Sequence, residues 1–257
     1  MKLTSRTIVV TGGSSGLGLE ISRQLIARGN TVLAIGRDLA KLAMARSLAP
    51  GLHTFSADIA DPEQRLHLRD YVQSTFPSCD MLINNAGIMR SVTLGRNDEG
   101  AGAEREIAVN LTAPIHLSSL FVPILRDRAD ACIVNVSSGL AYAPFPVAPI
   151  YSATKAALHS FTQSLRIQLR SSGIRVVELI PPGLDTPMIT AEVRSAMAGQ
   201  RMAPVANVAR MAIRRIEAGD TEIAPGASSV LRLMSRLAPG LLMRQMASMY
   251  ERAAAAT

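Results

Sequence analysis

A short β-branched run, Thr7–Val10, passes without interruption into Thr11-Gly12-Gly13-Ser14-Ser15-Gly16-Leu17-Gly18, and that turn opens directly into a helical stretch, Leu17–Arg28. Glycines at a strand-to-helix connection permit a tight turn and let a phosphate or another backbone come close. The helix that follows starts with unpaired N–H groups, and its dipole favours an anion at that end. A chain that begins this way is committed to a strand laid against its following helix, the first half of a β–α–β unit.

The rest of the chain repeats that unit. Nearly continuous apolar runs occur at Thr31–Ile35, Met81–Asn84, Cys132–Val136 and Ile174–Ile180, with a weaker one at His53–Ala57. Runs of this kind suit parallel strands covered on both faces. Between them lie helical stretches at Leu39–Leu48, Pro62–Phe76, Arg105–Leu125 and Tyr151–Leu169; the third carries Ile107, Leu111, Ile115, Leu117, Leu120 and Leu125 at mixed three- and four-residue spacing. The pattern predicts an α/β fold: a single-domain, Rossmann-type, doubly wound parallel sheet with helices on both faces. Residues 1–225 are expected to form the body of the domain, and 226–257 a C-terminal helical extension of it. There, Val230–Tyr250 reads as two short amphipathic helices broken at Pro239-Gly240.

Composition narrows the function classes. The net charge of +7 invites a nucleic-acid reading, but the arginines are scattered and aromatic residues make up only 4%, so no basic stripe with stacking platforms is expected. Cys79 and Cys132 lack metal-ligand or disulfide-framework spacing, and His53, His67, His116 and His159 show no paired spacing, so no metal is expected. The Met1–Arg6 segment runs straight into a strand too short for the apolar part of a signal peptide. A cytoplasmic protein without stable membrane insertion follows as the expectation.

Of the 27 lysines and arginines only Lys2, Lys41 and Lys155 are lysines, and Lys155 stands four residues after Tyr151. That spacing puts both on one helix face. A compact, flexible ammonium beside a phenol does a job that a guanidinium cannot. With Thr-Gly-x-x-x-Gly-x-Gly near the N-terminus and Asn84-Asn85-Ala86-Gly87 in mid-chain, the pair makes this sequence resemble the compact short-chain dehydrogenase/reductase family over residues 5–225. The Pro181-Pro182 pair and the late Glu222-Ile223-x-Pro-Gly resemble that family's DltE-like subgroup.

The resemblance implies a nicotinamide dinucleotide cofactor and a residue-by-residue site. Gly12, Gly16, Leu17 and Gly18 would surround the pyrophosphate, and Ser14 and Ser15 would add hydroxyls to the hold on a 2′-phosphate. At the end of the second strand, Gly36 occupies the place where NAD-preferring relatives carry an acid, and Arg37 follows. A guanidinium suits the 2′-phosphate of NADP(H), by a forked pair of hydrogen bonds. Asp38 is expected to cap the next helix. Asp58, with Ile59, matches the position that meets the adenine, and Asn85, Ala86 and Gly87 the segment along the adenosine ribose. Pro181, Leu184 and Thr186 would hold the nicotinamide; Pro182 stands at the family's usual glycine, a departure. Tyr151 would exchange a proton with the substrate oxygen, with Lys155 lowering the phenol's pKa and holding the nicotinamide ribose. Ser138, thirteen residues before Tyr151, would hold the carbonyl. Asn110 would disrupt its helix locally and anchor a proton relay.

The uncharged segment Gly139–Ile150, with Tyr142, Phe145 and Val147, lies before Tyr151 and suggests an apolar carbonyl compound or alcohol as the small-molecule substrate. Pro187–Met202, with Met188, Ile189, Met197 and Met202, resembles the family's substrate-covering segment. The expected activity is hydride exchange between NADP(H) and an apolar ketone or secondary alcohol, in a homodimer or homotetramer. A 3-oxoacyl-thioester reductase and a non-catalytic NADP(H)-binding scaffold or sensor are the alternatives.

Overall fold

The computed structural model describes residues 1–93, 95 and 100–255. The chain runs β1 (Thr7–Thr11), α1 (Gly16–Ile26), β2 (Thr31–Gly36), α2 (Leu39–Leu48), β3 (His53–Ser56), α3 (Pro62–Thr75) and β4 (Met81–Asn84). Then come α4 (Gly100–Ile107), a π-helical turn at Ala108–Thr112, α5 (Ala113–Leu125), β5 (Cys132–Val136), a 3-10 turn at Gly139–Ala141, α6 (Pro149–Gln168) and β6 (Arg175–Leu179). It finishes through α7 (Ala191–Ala196), α8 (Val205–Ala218), β7 (Glu222–Ile223), α9 (Ala227–Leu237) and α10 (Pro239–Ala255).

The strands form one sheet in the order β3-β2-β1-β4-β5-β6-β7, and every pairing is parallel. This is the doubly wound arrangement expected from the strand runs. Successive strand residues feed opposite layers, which is why the runs are apolar throughout rather than alternating. Ile8 and Val10 join α1 and α8 in one core layer, whereas Val9 joins α3, α5 and α6 in the other. The strand order reverses between β1 and β4, so the carboxyl ends of those strands part to form a crevice, the usual ligand position in such sheets.

The helical stretch expected at Arg105–Leu125 is present but interrupted. The π-helical turn around Asn110 adds a residue to one turn and rotates the inward face. As a result Val109, Ala113, Leu117, Phe121 and Leu125 are buried, while Ile107 and Ile115, expected on the apolar stripe, are exposed. Residues 102–125 are long and apolar enough in composition to cross a bilayer, yet this inward face packs on the sheet. A polar bracket also seats the site-bearing helices. Asn84 donates to Asn135 Oδ1 at 2.9 Å and to Ser118 Oγ on α5 at 3.2 Å, and Asn135 donates to Thr162 Oγ1 on α6 at 2.9 Å. α9 and α10 occupy the stretch read as two helices, with the break at Ala238-Pro239.

Phe121 is fully buried between α5 and the sheet. Phe121→Ala should lower the unfolding free energy by about 3–5 kcal/mol in urea titrations followed by circular dichroism.

Candidate active site

The Gly-rich turn folds as a cradle. Gly12 and Gly16 have φ of +64° and +52°, a region side chains disfavour. A Cβ on Gly12 would lie 2.8 Å from Ala86 Cα, and one on Gly18 would lie 2.4 Å from both the Gly12 carbonyl oxygen and Asn85 Nδ2. The turn is bound to the end of β4: Asn85 Nδ2 donates to the Thr11 and Gly12 carbonyls, and Thr11 Oγ1 accepts from the backbone N–H of Asn85 and Ala86. Ser15 stands at the N-cap of α1 in extended conformation and makes no side-chain cap bond. The first-turn N–H groups therefore remain available to an anion.

A cleft of about 710 Å³ runs from this turn over the carboxyl ends of the strands. Gly12, Ser14, Ser15, Gly16, Leu17, Arg37, Asp58, Ile59, Asn85, Ala86 and Gly87 line one part, and Ser138, Tyr151, Lys155, Pro181, Leu184 and Thr186 another. Gly18 and Asn110 stand behind this lining. Arg37 is exposed and has no protein partner among the described residues, while its neighbour Asp38 caps α2 by accepting from the Lys41 N–H. Asp58 is engaged on both oxygens: Oδ2 accepts from Arg105 of α4 at 2.6 Å and Oδ1 from the Ala60 N–H at 3.0 Å. The turn's close approaches, its uncapped helix start and the partner-free guanidinium fit a dinucleotide with a phosphorylated ribose.

Strand β5 and helix α6 place the three residues expected to react. Ser138 follows β5 with φ of −164°, and its Oγ accepts from the Leu140 N–H. Tyr151 and Lys155 project from one face of α6 and are buried, at 8% and 3% exposure. Lys155 Nζ donates to the Val136 carbonyl at 2.9 Å and lies over the Tyr151 ring, 5.6 Å from its centroid. Asn110, fully buried in the π-helical turn, clamps Ile88: its Oδ1 accepts from the Ile88 N–H and its Nδ2 donates to the Ile88 carbonyl, and also to Thr154 Oγ1. The local disruption expected at Asn110 is there, and its side chain braces the segment after Gly87.

The electrostatics correct one expectation. Burial pushes Tyr151 up to about 12, so the expected lowering is outweighed; the Ser138 hydrogen bond lowers it and the charge of Glu106 raises it further. The phenol is thus held protonated, because desolvation outweighs its polar neighbours. Burial likewise brings Lys155 down to about 8, against the opposing charges of Glu178 and Glu106. Glu106 itself is raised to about 7 by burial, with Arg90 and Lys155 acting the other way.

The substrate side also differs in part. Phe145, Met188, Ile189 and Met197 line the cleft as expected. Tyr142 does not: its hydroxyl donates to Glu222 Oε1 at 3.3 Å and its ring meets His159 edge-on. Val147 is buried in the adjoining core and Met202 stands outside the lining. Sequence reasoning missed the opposite wall, built by Val230, Leu231 and Met234 of α9 and Gln245, Met246 and Met249 of α10. It also passed over Glu106 and Glu178, both fully buried. For Glu178 a signal existed: an acid in the middle of the apolar run Arg175-Val176-Val177-Glu178-Leu179.

Residues 6–197 match the short chain dehydrogenase family. An uncharacterised oxidoreductase of Bacillus subtilis (strain 168), DltE, is 44% identical over 187 residues, spanning 72% of this chain and 74% of that protein. An uncharacterised oxidoreductase of Staphylococcus saprophyticus is 31% identical over 193 residues, spanning 73% of this chain and 82% of that protein. Among solved structures, a short chain dehydrogenase from Burkholderia cenocepacia J2315 in complex with NADP superposes with a TM-score of 0.81 at 25% identity, covering 96% of this chain and 99% of that one. A 3-ketoacyl-(acyl-carrier-protein) reductase from Brucella melitensis complexed with NADH gives 0.76 at 26% identity, over 83% and 91%.

Gly18→Ala forces a methyl group against the Gly12 carbonyl and the Asn85 amide. Fluorescence titration with nicotinamide dinucleotides should show affinity weakened by about tenfold or more; unchanged affinity would mean that the turn is not the phosphate cradle.

Proposed function

The chain belongs to the short-chain dehydrogenase family of oxidoreductases, and on that premise we propose that it interconverts an apolar ketone and its secondary alcohol with NADP(H). The observation that carries this reading is convergence: Ser138, Tyr151 and Lys155 meet in the same cleft that contains the Gly-rich turn and Arg37. Bound there, the cofactor supplies or accepts the hydride. The protein's own part is to move one proton and to fix one oxygen.

In reduction, the Tyr151 hydroxyl donates its proton to the substrate oxygen while Ser138 holds that oxygen by a hydrogen bond. A phenol held protonated by burial suits the donor's role. Lys155, already beside the ring, stabilises the phenolate that remains. Oxidation of the alcohol runs the same transfer backwards. Asn110 keeps the Gly87-Ile88 segment close to Lys155, since a Cβ on Gly87 would lie 3.4 Å from Asn110 Oδ1 and 3.6 Å from Lys155 Nζ.

Preference for NADP(H) rests on Arg37, exposed at the end of β2 behind Gly36, which carries no carboxylate, while the neighbouring Asp38 caps α2. Preference for an apolar substrate rests on the lining beyond Tyr151. Leu140, Phe145, Met188, Met197, Leu231, Met234 and Met246 crowd it, and the polar side chains Gln200, Arg201 and Gln245 are few. Methionine adapts its shape to varied apolar ligands.

Two measurements test the reading. Arg37→Ala should weaken NADPH binding by about tenfold or more and leave NADH binding nearly unchanged; equal losses would remove the 2′-phosphate assignment. Against a panel of ketones and secondary alcohols, Tyr151→Phe should lower kcat by about 10²–10⁴-fold while cofactor affinity holds. Activity surviving that change would refute the proton-transfer role.

A further inference from the structure

Helix α6 carries more of the site's electrostatics than its catalytic pair. Tyr151, Lys155, His159 and Gln163 recur every four residues and so share one face. Opposite the lower half of that row stands Glu178 of β6, fully buried in the middle of a strand. A buried carboxylate is costly unless it is hydrogen-bonded or paired, and Glu178 is provided for. The Ser137 hydroxyl donates to Oε1 at 2.5 Å, and His159 Nδ1 lies 3.0 and 2.8 Å from the two oxygens. The Gln163 amide nitrogen faces His159 Nε2 at 2.9 Å, so Nε2 accepts and Nδ1 carries the proton given to Glu178.

The position of this dyad ties it to the reacting groups. Ser137 is the residue between Val136, whose carbonyl accepts from Lys155, and Ser138. We propose that Glu178, oriented by His159 and Ser137, is a positioning residue that acts through Lys155, its buried negative charge keeping that side chain an ammonium. The proposal builds on the proposed reaction, in which Lys155 serves as a cation. The direction is supported by the charge of Glu178 raising the Lys155 pKa against burial.

Other charges face the same cluster. Glu106 of α4 acts on Lys155 from the Tyr151 side, also raising its pKa. Tyr142, from the turn after β5, meets the His159 ring edge-on, and its hydroxyl donates to Glu222 of β7, which Arg232 of α9 pairs with in turn. Arg166, about two α6 turns beyond His159, lowers the histidine's pKa, whereas the hydrogen bond to Glu178 raises it.

The chain's three lysines make a direct test practical. In full-length protein labelled with 13C-lysine, three side-chain resonances appear, and the one lost in Lys155→Arg is Lys155. Its midpoint in the wild type is expected near 8. Glu178→Gln, which keeps shape and removes charge, should lower that midpoint by about one pH unit, a tenfold loss of proton affinity. His159→Arg sets a permanent cation beside Glu178 and should shift it the same way by a smaller amount. An unmoved midpoint in folded Glu178→Gln, or in His159→Arg if the first variant does not fold, overturns the proposal. The alkaline limb of kcat/KM for NADPH-driven ketone reduction should follow the resonance downwards. A resonance that moves while the kinetic limb stays fixed would support the charge coupling and remove Lys155 from the proposed reaction.

Discussion

An ammonium is kept out of water at the centre of this molecule, and much of the surrounding architecture answers to that fact. Taking a lysine side chain into a protein interior costs several kcal/mol unless hydrogen bonds and opposite charges replace its hydration. Lys155 receives a carbonyl from the end of β5, the face of the Tyr151 ring, and two fully buried carboxylates acting from different elements, Glu106 and Glu178. None of these comes from the same stretch of chain. The sheet has to be closed, and α4 and α6 packed on it, before the charge is balanced. The balance is incomplete, so burial leaves Lys155 below the usual lysine range, at about 8, and the two carboxylates act against that fall.

The nucleotide end of the cleft obeys a different constraint, close approach. Gly12 and Gly18 sit where any side chain would strike the end of β4 or the turn itself, and the Asn85 amide and Thr11 hydroxyl hold that contact together. Here backbone geometry does the work, and charge enters through the uncapped start of α1, through Arg37 and through the Asp58–Arg105 pair. At the substrate end, electrostatics are concentrated in a few buried side chains. The clamp of Asn110 on Ile88 joins the two regimes, because it anchors the strap leaving β4 to the helix packed beside α6.

That division explains what could be read from the chain alone. The strands were legible because both sheet faces are covered, so the runs are nearly continuously apolar; β4 and β5 have the boundaries that their runs imply. The Gly-rich turn was legible because its function lies in what glycine lacks. The two-residue β7 left no such trace, since it is too short to show a period. Nor did the inward face of 109–125, because one π-helical turn shifts the register on which a periodicity argument depends. Tyr151 and Lys155 could be paired by spacing, but not the direction of the phenol's shift, which burial decides. The pairing of Asp58 with Arg105 joins residues 47 apart in the chain, and no local pattern announces it.

The substrate wall illustrates the same limit and adds a consequence. In the proposed reaction, chemistry and selectivity would rest on separate parts: Ser138 just after β5 with Tyr151 and Lys155 on α6, and an apolar wall with few fixed polar groups from α7, α9 and α10. Apolar contacts are non-directional, so such a wall can be repacked residue by residue at modest cost. Lys155 stays balanced meanwhile, since its counter-charges lie on α4 and β6. One polar thread crosses between the two parts, from Arg232 on α9 through Glu222 and Tyr142 to His159 and Glu178. Hydrogen bonds and ion pairs are directional and expensive to leave half-made. The thread therefore fixes where α9 starts its wall relative to the buried dyad, and the apolar remainder is free to fit the ligand.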